Sequence, residues 1–244
     1  MKNIVKKIIK NILWILHLDI TQNQQYDRQT FLVLKKILAE KSNCIDIGCH
    51  KGEILDLMIK NSPSGLHYGF EPIPDLFKKL KKKYAKNSNI RLFNCALSET
   101  KGDTTFNYVV NAPAYSGIKQ RSYDRKDAKI ELINVKLERL DDVIPPNEKI
   151  SLIKIDVEGA EYLVLKGAKQ TIVRNKPFII FECGLGASDH YGTTPEQVFS
   201  FFADECKMNI SLLNSWLKNK SPLSKEQFKR EFVENTNYYF LAHS

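Results

Sequence analysis

Three short stretches of this 244-residue chain bring together side chains able to do chemistry. The first is Asp46-Ile47-Gly48-Cys49-His50-Lys51-Gly52-Glu53, where an apolar run gives way to a helical pattern. Glycines there let the backbone turn tightly against a ligand, and free N–H groups at a helix start attract a carboxylate or phosphate. The spacing is Gly-x-x-x-Gly rather than the Gly-x-Gly-x-x-Gly of dinucleotide binders, and a plain strand-to-helix turn would use the same residues. The second stretch, Gly69-Phe70-Glu71-Pro72, closes the next apolar run and puts an acid 19 positions after Gly52. A carboxylate there can accept hydrogen bonds from both hydroxyls of a ribose, and Pro72 keeps Glu71 out of the following helix. The third is Lys154-Ile155-Asp156-Val157-Glu158-Gly159-Ala160-Glu161. Its three carboxylates crowd the end of a strand, where open α/β sheets bind ligands, although an acid at a helix start also serves as a simple cap.

Further candidates are more scattered. His190, in the loop Gly186-Ala187-Ser188-Asp189-His190-Tyr191-Gly192, has a near-neutral reference pKa suited to a base. Glu182 ends the apolar run 178–181 and joins Asp156 and Glu158 as a carboxylate able to take a proton. These three acids have the hard oxygen donors a divalent cation prefers, yet no metal is expected. Tyr115-Ser116-Gly117 and Tyr26-Asp27 are candidates to face an acceptor. The five cysteines are unpaired by spacing and show no zinc pattern, which suits a reducing cytosol.

Such groups must be delivered by elements that end side by side. From Ser42 onward short apolar runs alternate with amphipathic segments: 44–48 then 53–59, 66–70 then 74–84, 90–96, and 152–157 then 162–173. Strand–helix alternation predicts right-handed crossovers and a parallel sheet covered on both faces. Between 102 and 140 the pattern changes to two extended runs, 104–110 and 130–137, read as an insertion with a hairpin and a loop over the site. A helix over 195–204 and strands near 210–213 and 238–242 complete the sheet.

Ahead of this domain, residues 1–40 read as two helices. In the first, Ile4, Val5, Ile8, Ile9, Ile12, Ile15 and Leu16 recur at helical spacing opposite Lys2, Lys6, Lys7 and Lys10. Its unbroken apolar stretch, 12–16, falls far short of the roughly 20 residues a membrane span needs, and no cleavage site follows. Packing on the protein or on a second subunit accounts for that stripe, as does peripheral contact of residues 1–20 with a membrane surface.

With 43% hydrophobic and 27% charged residues and a mean hydropathy of -0.34, disorder, collagen and a multi-pass membrane protein are excluded. The length suits one continuous core. A net charge of +9 and a pI near 9.2 point to an anionic partner without choosing one. The lysines at 78, 79, 81, 82 and 83 accompany Phe77, Leu80 and Tyr84 at helical spacing, so they read as the wet side of a packed helix, and nucleic acid is not the expected partner.

Taken in order, Ile45-Asp46-Ile47-Gly48 with Gly52, Phe70-Glu71-Pro72, Ala96-Leu97-Ser98, Leu140-Asp141-Asp142 and the motif from Lys154 to Glu161 resemble the FkbM family of S-adenosylmethionine-dependent methyltransferases. The resemblance covers residues 44–183 and is most specific at the last motif. It implies a Rossmann-like class I methyltransferase fold, a mostly parallel seven-stranded α/β sheet with helices on both faces. By position it implies that Asp46, Gly48, Cys49 and Gly52 hold the methionine part of S-adenosyl-L-methionine, with Glu71 and Pro72 at the ribose. Ala96 and Leu97 would line the adenine, beside Asn94 or Cys95 in place of the usual acid, and Asp156 would lie near the transferred methyl.

The expected activity is transfer of that methyl to a hydroxyl of a sugar, glycan precursor or natural product, with Asp156, Glu158, His190 or Glu182 as base. Tyr115, Ser116, Lys154 and His190 are the expected acceptor contacts. The acceptor is expected to be a small molecule or glycan, with a phosphorylated or nucleotide-linked form favoured by the charge; a homo-oligomer is compatible with this. The expected location is the cytoplasm, at the inner membrane face if the first helix docks there. A nicotinamide-dependent oxidoreductase and a non-catalytic membrane-associated protein of the same fold are the alternatives.

Overall fold

The computed structural model describes residues 21–120 and 127–244. The basic helix expected within residues 1–20, with its membrane contact, lies outside the described residues. The second expected helix, α1 (Gln22–Ile37), is present, and a capping box between Thr21 and Gln24 closes its N-terminus.

Short strands and helices then alternate: β1 (Cys44–Ile47), α2 (Glu53–Asn61), β2 (His67–Phe70), α3 (Pro74–Lys83) and β3 (Ile90–Phe93). After an excursion come α4 (Leu140–Val143), β7 (Leu152–Ile155), α5 (Glu161–Gly167), α6 (Lys169–Asn175) and β8 (Phe178–Glu182). The chain finishes with α7 (Pro195–Ser200), β9 (Asn209–Leu212), α8 (Leu213–Leu217), α9 (Lys225–Glu234) and β10 (Tyr239–His243). The main sheet has the order β3-β2-β1-β7-β8-β10-β9, and β10 pairs antiparallel with both neighbours. This is the mostly parallel seven-stranded sheet expected from the sequence.

Every residue of β1, β2 and β7 is buried, because successive side chains point to opposite faces and helices cover both. Ile45, Ile153 and Phe181 join one apolar cluster with Phe202, Phe228 and Phe240. Their chain neighbours Cys44, Leu152 and Ile180 join a second, with Val33, Leu55, Met58 and Leu80. Strand order reverses between β1 and β7, and open sheets hold ligands beyond the strand ends at such a point.

Four local expectations need correction. The third strand stops at Phe93 rather than 96: Asn94 Nδ2 turns back to the carbonyls of Glu71 and Pro72, at 2.8 and 3.0 Å. The next residues, β4 (Ala96–Leu97), pair with β6 (Ile130–Glu138), which in turn pairs antiparallel with β5 (Gly102–Val109) to build the hairpin expected over 102–140. The single helix expected over 162–173 is two, because Asp141 caps a fresh start by accepting the N–H groups of Gln170 and Thr171, at 3.0 and 2.8 Å. Helix 195–204 is α-helical only to Ser200 and continues as a π turn over Phe201–Glu205, while α8 and α9 had no counterpart in the periodicity reading. No helix of the described residues is long and apolar enough to cross a membrane.

Candidate functional site

A cleft of about 430 Å³ opens where β1, β2, β4 and β7 end. Asp46, Gly48, Cys49, Glu71, Pro72, Ala96, Leu97, Ser116, Lys154, Asp156 and Glu158 all border it, so residues spread over more than 100 positions share one wall. Asp27 of α1 borders it too, while Tyr26 is buried and stacked on Tyr239, ring centroids 5.0 Å apart.

The turn after β1 is packed against the turn after β7. Gly48 has φ +82°, and a Cβ there would lie 1.9 Å from the carbonyl oxygen of Asp156, so only glycine lets the two turns meet. Tyr84 and Lys83 grip the same loop from α3, through the Gly52 carbonyl at 2.9 Å and the Lys51 carbonyl at 3.0 Å. Lys83 therefore does more than solvate the helix, although it is exposed like the other lysines of the run.

Glu71 is 4% exposed, and its carboxylate is fixed by two backbone donors: His50 N–H to Oε2 at 2.7 Å and Ile73 N–H to Oε1 at 2.9 Å. Each oxygen keeps acceptor capacity beyond the bond it makes. Burial pushes the carboxyl up to about 7, against the pull of those two N–H groups. Burial also raises Asp46 to about 6; Lys154 opposes that rise and Asp156 adds to it. Neither Asp46 oxygen makes a hydrogen bond of normal geometry, and both are shielded from solvent.

Beneath the cleft, Lys154 Nζ donates to Asp156 Oδ2 at 2.7 Å, and the Tyr239 hydroxyl donates to the same oxygen at 2.8 Å. Burial disfavours the Lys154 charge, but Asp156 and Asp46 more than offset this and hold its pKa above the ordinary lysine value. Glu161 is the structural member of its motif: Oε1 accepts the N–H groups of Val157 and Gly159, at 2.9 and 3.2 Å, which shapes the turn that carries Glu158 at φ 60°.

Gly52, Tyr115, Glu182 and His190 do not border the cleft. Gly52 is the N-cap of α2 with φ 77°, between the lining residues His50 and Glu53. Tyr115 ends the 3-10 turn Pro113–Tyr115 and is 39% exposed, whereas Ser116 points inward and its Oγ accepts Val109 N–H at 2.9 Å. Glu182 closes β8, one strand away from the reversal point, opposite Tyr239. His190 sits in the 3-10 turn Ser188–Tyr191, where its carbonyl accepts Lys119 Nζ at 3.1 Å. Its neighbour Tyr191 instead ties down the insertion, accepting Lys119 N–H at 2.8 Å. Of the two residues expected beside an adenine, Cys95 borders the cleft and Asn94 does not. Among the described residues no three His, Cys, Asp or Glu side chains converge at metal-binding geometry.

Neither His50 nor Tyr239 carries a local signal in the sequence. His50 lies inside the first motif but has no spacing signal of its own. Tyr239 follows Asp156 by 83 positions, too far for any local pattern.

The methyltransferase FkbM domain family matches residues 46–208. Methyltransferase sdnD of Sordaria araneosa is 29% identical over 163 residues, covering 54% of this chain and 63% of that protein. The 2-O-methyltransferase NoeI of Sinorhizobium fredii is 28% identical over 145 residues, covering 54% of this chain and 59% of that protein. The chain thus spans less than two thirds of the length of either relative. A crystal structure of methyltransferase FkbM from Methylobacillus flagellatus KT shares the fold, with a TM-score of 0.53 at 16% identity, over 85% of this chain and 44% of that one.

Proposed function

From the premise that the chain belongs to the FkbM methyltransferase domain family, we propose that it moves a methyl group from S-adenosyl-L-methionine to a hydroxyl oxygen of a sugar, glycan precursor or natural product. The observation that carries this reading is Glu71, a buried carboxylate on the cleft wall held by two backbone N–H groups, one on each oxygen. The residues present fit the cofactor. Glu71 suits a pair of ribose hydroxyls, the buried Asp46 carboxylate, without a hydrogen bond of normal geometry, suits an ammonium, and Cys95, Ala96 and Leu97 offer an apolar slot for a purine.

When bound, the cofactor supplies an electrophilic methyl on a sulfonium, which is already a good leaving group. The chain's task is to hold an acceptor oxygen in line with it and to exclude water. Lys154 and Tyr239 anchor Asp156 through one oxygen, so Asp156 positions ligands at the end of β7. We assign Glu158, carried into the wall by its left-handed backbone, to accept the hydroxyl proton, a role typically contributing roughly 10²–10⁴-fold.

Oxygen as acceptor atom is supported by the relative described as a 2-O-methyltransferase. The net charge of +9 supports an acceptor carrying phosphate or a nucleotide, since a positive field speeds encounter with anions. Neither the family nor the glycine spacing favours a nicotinamide-dependent oxidoreductase.

The test is to incubate the protein and a Glu158→Gln variant with methyl-labelled cofactor and fractionated extract of the source organism. The reading expects labelled methyl ether in one fraction and far less with the variant. Label appearing only on nitrogen or carbon, or no label in any fraction, would count against it.

A further inference from the structure

We propose that residues 1–20 hold the chain on an anionic lipid surface, and that the docked chain turns the cleft end of its sheet toward that surface. The inference does not depend on the reaction proposed above. It joins a pattern in the sequence to the place where that segment enters the fold.

The segment lies outside the described residues, so its part of the argument is compositional. At helical spacing its apolar residues, from Ile4 to Leu16, share one side and Lys2, Lys6, Lys7 and Lys10 the other, with Asp19 as the sole acid. Uninterrupted apolar sequence runs from Ile12 to Leu16, too short to span a bilayer, and includes Trp14, a side chain that favours the headgroup level. A basic amphipathic helix of this kind lies in the interface, its apolar side among the acyl chains and its lysines on anionic headgroups.

Contacts of the first described turn fix where the segment joins the fold. Gln22 Nε2 donates to the Thr236 carbonyl at 2.7 Å, the Tyr238 hydroxyl donates to Asn23, and the Tyr238 N–H donates to the Tyr26 hydroxyl at 3.2 Å. Residues 236–238 lead into β10, whose antiparallel start lies beside the end of β8, at the carboxyl end of the parallel strands. Asp27, on the cleft wall, follows Thr21 by about 9 Å along the helix axis. Residue 20 therefore meets the fold at the same end of the sheet as the cleft.

That end also exposes apolar side chains. Leu185, in the turn after β8, is 44% exposed, and Val233, in the last turn of α9, is 57% exposed. Both flank the loop that receives α1. Gly184 is so close to Tyr238 that an added Cβ would lie 3.1 Å from the Tyr238 Cβ, and Asn235 caps α9 just before Thr236. Two exposed side chains are too few to cover an apolar stripe about three turns long, so packing there would leave most of the stripe in water. A lipid surface covers the stripe and the two side chains together. An acceptor hydroxyl carried on a lipid would then reach the cleft, a consequence that does rest on the proposed reaction.

The test uses the full chain, without cofactor, and vesicles of phosphatidylcholine, alone or mixed equally with phosphatidylglycerol. Sedimentation should show binding to the mixed vesicles and weaker binding, by about tenfold or more, to phosphatidylcholine alone. Replacing Lys2, Lys6, Lys7 and Lys10 together by Gln should lower affinity for mixed vesicles by about 100-fold or more, since each lysine near an anionic surface contributes about fivefold. Ile8→Asp, on the apolar side, should weaken it as well. A wild type that stays off mixed vesicles, including one held as a dimer through the stripe, overturns the proposal, as does a lysine variant that binds like wild type.

Orientation is read separately. The five native cysteines are buried, so a polarity-sensitive dye can be placed on an introduced thiol at an exposed site. On Leu185→Cys its emission should move to the blue when mixed vesicles are added. On Val173→Cys, exposed on α6 just before the start of β8 and so at the opposite end of the sheet, it should stay unchanged. A shift at position 173 with none at position 185 overturns the orientation.

Discussion

The hydroxyl of Tyr239 donates a 2.8 Å hydrogen bond to Asp156 Oδ2, tying the antiparallel strand β10 to the carboxylate beyond the central strand β7. Two distant segments of chain thus meet on one oxygen, which also takes the Lys154 ammonium at 2.7 Å. Tyr239→Phe keeps the ring stack on Tyr26 and removes only this bond. Urea unfolding should show a loss of about 1 kcal/mol, the usual net value of one buried hydrogen bond. Methyl transfer should fall while cofactor affinity stays within about twofold, because Asp156 is less firmly placed but Glu71 is untouched.

Glu161 is buried, and one of its oxygens holds the Val157 and Gly159 N–H groups while the other has no partner. Burial raises its carboxyl to about 7. Glu161→Ala leaves both donors orphaned and should cost about 2 kcal/mol in chemical denaturation. Glu161→Gln keeps an acceptor oxygen without a buried charge and should stay within about 1 kcal/mol of the wild type. Equal losses in the two variants would show that the carboxylate does not shape this turn.

How much of this was legible follows from where each signal resides. The alternation of apolar runs and amphipathic segments comes from burial on both sheet faces, so the strands around Ile45, Phe70 and Ile153 could be read locally. Glu71 and the Lys154–Glu161 motif could be read because strand ends deliver ligand-binding groups. The split at α6 could not, since it depends on Asp141 reaching the Gln170 and Thr171 amides across the fold. His190 and Glu182 looked suited to catalysis by residue type, but type carries no direction, and both stand off the cleft. Tyr239 and the partnerless His50 nitrogen exist only as tertiary facts.

The raised carboxyls give a pH dependence of definite sign. Glu71, at about 7, and Asp46, at about 6, lie above their unfolded values of about 4, so the folded chain holds extra protons in that window. The stability they contribute is fully present below pH about 4 and is lost as pH rises through about 6 and 7. The difference in unfolding free energy between wild type and Glu71→Gln should therefore shrink in favour of the variant over that range. Binding has the opposite slope: an ionised Glu71 accepts ribose hydroxyls better, so S-adenosylhomocysteine affinity should rise up to pH about 7 and level off. Glu71→Gln should bind weakly with a flatter profile.

The most direct measurement is the affinity of S-adenosylhomocysteine for the wild-type chain and for Glu71→Ala, by calorimetry at pH 8, with circular dichroism confirming that both are folded. Wild type should bind, and the variant should lose about 100-fold or more, the effect of two hydrogen bonds to a buried carboxylate. A folded Glu71→Ala that binds as tightly as wild type, or a wild type that does not bind at all, would contradict the account.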